Sequence, residues 1–120
     1  MFLLFLSLMS QSLYAESWPE ISKPLPPLHD GYSDSAVIIS ISDYDKIQDI
    51  PNANINARDW YTWLTKTKGL SPSRVHLIEN EFATKENILT TTKKVSKNSV
   101  AGGKVWYIFI GYGAISSNGI

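Results

Sequence analysis

Lys104-Val-Trp-Tyr-Ile-Phe-Ile-Gly-Tyr-Gly-Ala114 decides the fold. Val105 to Ile110 carry no polar face, which is the pattern of a strand in a parallel sheet rather than of a half-solvated hairpin. Such a strand delivers the residues that follow it, here Gly111-Tyr112-Gly113, to the carboxyl edge of the sheet, where open α/β sheets place their ligands. Such a strand calls for neighbours on both sides and cover on both faces, more than residues 36–120 are expected to supply, and left at a sheet edge it invites pairing with another chain.

Upstream, Ala36-Val-Ile-Ile-Ser-Ile-Ser42 is rich in β-branched residues and apolar at nearly every position, again a buried parallel strand, ending at Asp43-Tyr44-Asp45. Asn52 or Asn54 can then cap a helix whose Ala53, Ala57, Trp60, Tyr61 and Leu64 form one apolar stripe. Trp63 falls outside the stripe and is expected to lean outward. Gly69 supplies a left-handed end and Pro72 forbids continuation. Arg74-Val-His-Leu-Ile-Glu79 reads as a second strand. Thr84 caps a second helix with Ile88, Leu89, Thr92 and Val95 inward.

This alternation predicts two βαβ units with right-handed crossovers, hence three parallel strands in an α/β fold. The first and third strands then end on the same side, with Asp43, Tyr44 and Asp45 near Gly111, Tyr112 and Gly113.

Composition bounds the rest. The chain has 120 residues, 43% hydrophobic and 18% charged, enough apolar content to exclude intrinsic disorder and to specify one domain or part of one. Eleven basic residues balance eleven acidic ones without long runs, so no electrostatic stripe for nucleic acid or anionic lipid is present. Residues 1–17 read as a secretory signal peptide, cut after Ala15 or Ser17, which implies a secreted or periplasmic protein with no membrane association after its removal. The absence of a basic residue before the apolar run keeps an uncleaved anchor or a mis-assigned start as alternatives. Residues 18–35, with Pro19, Pro24, Pro26 and Pro27, read as a Pro-rich linker. Residues 36–120 carry the domain. There is no cysteine, hence no disulfide and no thiol nucleophile.

Taken in order, Ala36 to Tyr44, Ile50-Pro-Asn-Ala-Asn-Ile-Asn-Ala-Arg-Asp59, Thr84-Lys-Glu-Asn-Ile88 and Lys104 to Gly113 resemble the opening half of the caspase-like cysteine peptidases, in the metacaspase and orthocaspase branch. The resemblance implies the first three parallel strands and two crossover helices of a three-layer α/β/α sandwich. It also implies proteolysis by a histidine that activates a cysteine. The family's Ser-Gly-His-Gly motif is Ile110-Gly111-Tyr112-Gly113 here, so Tyr112 stands in the place of the catalytic histidine, flanked by Gly111 and Gly113. A phenol, with a reference pKa near 10, does not take a thiol proton at neutral pH as imidazole does. At positions that the resemblance assigns to the substrate pocket, Asn56 replaces an acidic residue and Ile110 a serine. Asp43 and Tyr44 are expected to belong to the same pocket.

These departures resemble the family's inactive members. The expectation is a pseudoenzyme without cofactor or metal that binds a peptide or protein at the carboxyl edge, with a complementing chain possible at the third strand. Two alternatives stay open: the N-terminal half of an active endopeptidase whose nucleophile comes from a downstream segment, and a non-functional truncated product.

Other motifs carry less. Asp43, Asp45 and Asp49 lack calcium-loop spacing and read as solvated acids. His29 and His76 have no ligand partners at metal spacing. Gly111-Tyr112-Gly113 lacks the third glycine and following helix of a dinucleotide loop.

Overall fold

The computed structural model describes residues 21–23 and 26–113. The expected leader lies outside these residues, as do 18–20 and 24–25 of the expected linker and 114–120 of the domain.

The elements follow the predicted order. Strand β1 spans Ser35–Ser40, helix α1 Ala53–Thr62, strand β2 Val75–Glu79, helix α2 Lys85–Lys97 and strand β3 Val105–Ile110. All strand pairs are parallel, in the order β2-β1-β3. The chain is therefore an α/β protein built on a parallel sheet.

β1 is the centre of the molecule. Every residue from Ser35 to Ser40 is buried, and its alternating side chains feed two cores. Ala36 and Ile38 pack with Ala57, Leu64, Leu70 and Val75 on the α1 side. Val37 and Ile39 pack with Ile78 and Val95 on the α2 side. Burying each larger aliphatic side chain contributes about 1.5–3 kcal/mol, so Val37, Ile38 and Ile39, covered on both faces, anchor both cores.

The helices show which local signals prevail. Asn52 stands at the head of α1 in a left-handed conformation that asparagine tolerates (φ 62°), without a side-chain cap. Thr84 caps α2 as expected, its Oγ1 accepting from the Asn87 N–H at 3.1 Å. Beyond Thr62 the first helix widens into a π segment, Trp63–Lys68. The N–H groups of Gly69 and Leu70 both reach back to the Leu64 carbonyl. Gly69, at φ 84°, takes the left-handed position that ends the helix.

Two expectations are corrected. Trp63 does not lean outward: it packs edge-on against Trp60 and Trp106, with ring centroids 5.7 and 5.9 Å apart, and closes the α1-side core over β3. Leu89 does not face inward: it is exposed, and Ile88 with Val95 makes the contact of α2 with the sheet. The third strand has, among the described residues, the open flank that residues 36–120 are expected to leave it. It has β1 as its one neighbour, and α2 covers β1 and β2 instead, so Trp106, Ile108 and Ile110 are partly buried while Val105, Tyr107 and Phe109 are exposed.

The stretch preceding β1 is docked on the domain. Leu28 and His29 donate their N–H groups to the Thr67 carbonyl, and Gly31 to that of Lys68. These bonds tie residues 28–31, inside the stretch read as a linker, to the end of the π segment.

Candidate functional site at the carboxyl edge of the sheet

Parallel pairing carries β1 and β3 to the same edge in register, Ser40 beside Ile110, and the Ile41 N–H extends the ladder by donating to the Ile110 carbonyl at 2.9 Å. The loop after β1 and the glycine-bounded turn after β3 therefore meet. The Tyr112 N–H donates to the Tyr44 hydroxyl at 2.9 Å, and the two rings lie tilted at 53° with centroids 5.1 Å apart. Gly111 makes this approach possible: a Cβ there would stand 2.9 Å from Phe109 Cζ and 3.0 Å from the Tyr44 hydroxyl oxygen. At Gly113 the same position is open space.

Two side chains hold the loop. Asp49 Oδ1 accepts the Tyr44 N–H at 3.0 Å. Asn80, left-handed at φ 45° just past β2, turns its Oδ1 on the Ser42 N–H (2.9 Å), the Ser42 hydroxyl (3.1 Å) and the Asp43 N–H (3.2 Å). The ends of all three strands are thereby joined. A recess of about 360 Å³ opens among Asp43, Tyr44, Asp45, Asn80 and Glu81. Its rim carries carboxylates, a phenol and an amide and no basic side chain, so it favours groups that donate hydrogen bonds or carry positive charge.

The structure thus brings Asp43, Tyr44, Ile110, Gly111 and Tyr112 together. Ile110 is half-buried against the α1-side core, with its side chain given to packing. Asn56 is exposed on α1, and among the described residues its side chain has no hydrogen bond to the tyrosine pair. Neither histidine lines the recess: His29 stacks on Tyr32, and His76 sits within β2 opposite Val37. Burial, reinforced by the charge of Lys94, holds the His76 imidazole below its ordinary pKa. Among the described residues no group of three His, Cys, Asp or Glu side chains converges as metal ligands would.

At the opposite end of the sheet lies a residue that the sequence did not single out. Asp34 is buried, and its carboxylate accepts from the Lys104 N–H and the Trp106 indole N–H, each at 2.9 Å. Burial opposes its ionisation, but these two hydrogen bonds and the charges of Lys104 and Lys68 outweigh it and hold the carboxyl below its ordinary value. Lys68 lies against the Trp106 ring, 5.6 Å from its centre, and pairs with Asp30 at 2.7 Å. Asp34 thus sets the start of β3, and with it the position of Tyr112. A lone acid between Ser33 and Ser35 gives no periodic signal for such a role. Asn80 carried a weak one, as a residue that tolerates the left-handed conformation at a strand end.

No helix among the described residues is long and apolar enough to cross a membrane. Comparison of the chain with family models, with curated proteins and with solved structures finds no match in any of the three.

Proposed function

We propose that this chain is a caspase-like domain of the metacaspase and orthocaspase branch that has lost catalysis and binds a peptide or protein partner at the carboxyl edge of its sheet. The observation that carries this reading is the contact of Tyr44 with Tyr112, at the place where the family resemblance puts its catalytic histidine. At that place an enzyme of this type needs a base that can accept a thiol proton and a thiol to give it up. A tyrosine whose backbone is tied to a second tyrosine, in a chain without cysteine, offers an aromatic and hydrogen-bonding surface instead. The acidic rim of the neighbouring recess suits a partner segment rich in donors or basic side chains.

The test is direct. Purified protein offered fluorogenic peptides ending in Arg, Lys or Asp should give no turnover above blank, and Tyr112→His should give none either, because a base without a thiol has nothing to activate. Turnover that disappears in Tyr112→Phe would overturn the inactive reading. Binding is read separately by titrating extended basic and acidic peptides against isotope-labelled protein: shifts confined to Tyr44, Asn80, Gly111 and Tyr112 support the edge as the binding surface, and shifts elsewhere reject it.

A further inference from the structure

At the amino edge of the sheet, away from the tyrosine pair, lies a recess of about 290 Å³. Ser35 at the start of β1, Ser73 and Arg74 in the turn before β2, His76 of β2, and Lys94 and Asn98 at the end of α2 line it. Strand alternation explains the set. Ser35 shares the α2-side face with Val37 and Ile39, and His76 shares it with Ile78, under the last turns of the helix. The polar groups of this lining are cations, hydroxyls, an amide and an imidazole, with no carboxylate among them.

Two observations mark the recess as a place for a ligand. Neither Arg74 nor Lys94 pairs with a carboxylate among the described residues. Ser35 is only 4% exposed, yet its hydroxyl has no hydrogen-bond partner among the described residues, where a buried hydroxyl ordinarily has one. The nearby acids are engaged elsewhere. Asp34 gives its carboxylate to Lys104 and Trp106 on the α1 side, and Glu79 is held by Arg58 at 3.0 Å. The carbonyl end of α2 borders the recess, but the Lys94 carbonyl is taken by the Asn98 N–H at 3.1 Å and that of Ser96 by the Ser99 hydroxyl at 2.7 Å. We propose that this recess binds a small oxyanion, a sulfate or phosphate group, held by Arg74 and Lys94 with the Ser35 hydroxyl and the Asn98 amide as further donors. Arginine supplies a fork of donors matched to such an anion and lysine a compact charge.

His76 gives the site a pH dependence. The residue faces Lys94 from α2 and follows Arg74 on its own strand, while β1 presents Ser35 and Val37 on the same side. Burial and then the Lys94 charge resist its protonation. An anion in the recess offsets that charge, so binding the anion and protonating His76 favour one another. This inference is independent of any binding at the carboxyl edge.

Sodium sulfate, whose charge is constant near neutral pH, is titrated into the isotope-labelled full chain at fixed ionic strength, with sodium chloride as the reference. Saturable shifts should centre on Ser35, Arg74, His76, Lys94 and Asn98, and binding should tighten several-fold from about pH 8 to about pH 5.5 as His76 becomes able to charge. Lys94 is exposed, so Lys94→Glu should fold, and it should weaken binding about tenfold or more. His76→Gln should remove the pH dependence. Phenyl phosphate binding more tightly than sulfate would identify an organic phosphate ester as the occupant, and equal affinity the free anion. Equal shifts with sulfate and chloride, meaning an adventitious ion only, would overturn the proposal. So would saturable binding that Lys94→Glu and Arg74→Gln both leave unchanged, or a pH dependence that survives His76→Gln.

Discussion

Asp34 shows how much one side chain carries in a molecule of this size. It is buried, and both of its oxygens are taken by donors about 70 residues away in sequence. Asp34→Asn should cost about 1–3 kcal/mol in urea denaturation, because an amide accepts one of those bonds and turns its own donor on the other. The pH dependence has two parts with the same sign. His76 has its folded pKa lowered by burial and then by Lys94, so below about pH 6.5 the unfolded chain takes up a proton that the folded chain refuses, and stability falls. Asp34, also lowered on folding, contributes stability above its unfolded value of 3.8 that is lost as pH drops through the folded value. Denaturation midpoints measured from pH 7.5 down to pH 3 should therefore decline in two stages, and His76→Gln should flatten the first and leave the second. Neither residue was legible as a structural determinant, since a single acid or imidazole declares its partners only when the strands close around it.

At the level of elements, the turn after β3 is the feature on which the candidate site depends. Gly111→Ala would push a methyl group against Phe109 and the Tyr44 hydroxyl, and the flexible rings must give way. The Tyr44–Tyr112 contact should open, seen as altered tyrosine near-ultraviolet circular dichroism, with a stability loss of about 1–3 kcal/mol from the overpacked turn. Asn80→Ala should release the loop after β1 at a cost of about 1–3 kcal/mol, since three donors lose one acceptor, and amide exchange at Ser42 and Asp43 should accelerate. Much of this level could be read from the residues. The three strands, the Thr84 cap and the Gly69 stop follow from local chemistry, and parallel crossovers alone place Tyr44 beside Tyr112. The π segment could not be read, because nothing in Trp63 to Lys68 signals a turn wider than that of the helix before it. The open flank of β3 could be read, since two βαβ units leave its apolar run with too few partners, but not which element would cover it.

For the whole molecule, the way the native state is reached is governed by the parallel pairing of the described strands, none of which is joined to its partner by a hairpin. Ala36 pairs with Val75 and Ser35 with Val105, partners about 40 and about 70 residues apart along the chain. Each pairing must close a long loop before it returns any energy. α1 and α2 can form locally and early, whereas β1, the first of the described strands to be synthesised, stays unpaired until Val75 to Glu79 has emerged and completes its ladder only when Ile110 has. Refolding is accordingly expected on the millisecond-to-second scale typical of non-local topologies, and a nascent chain leaves the segment Ala36 to Ile39 unpaired while about 40 further residues are made. That segment is the one for which a cell most needs a chaperone.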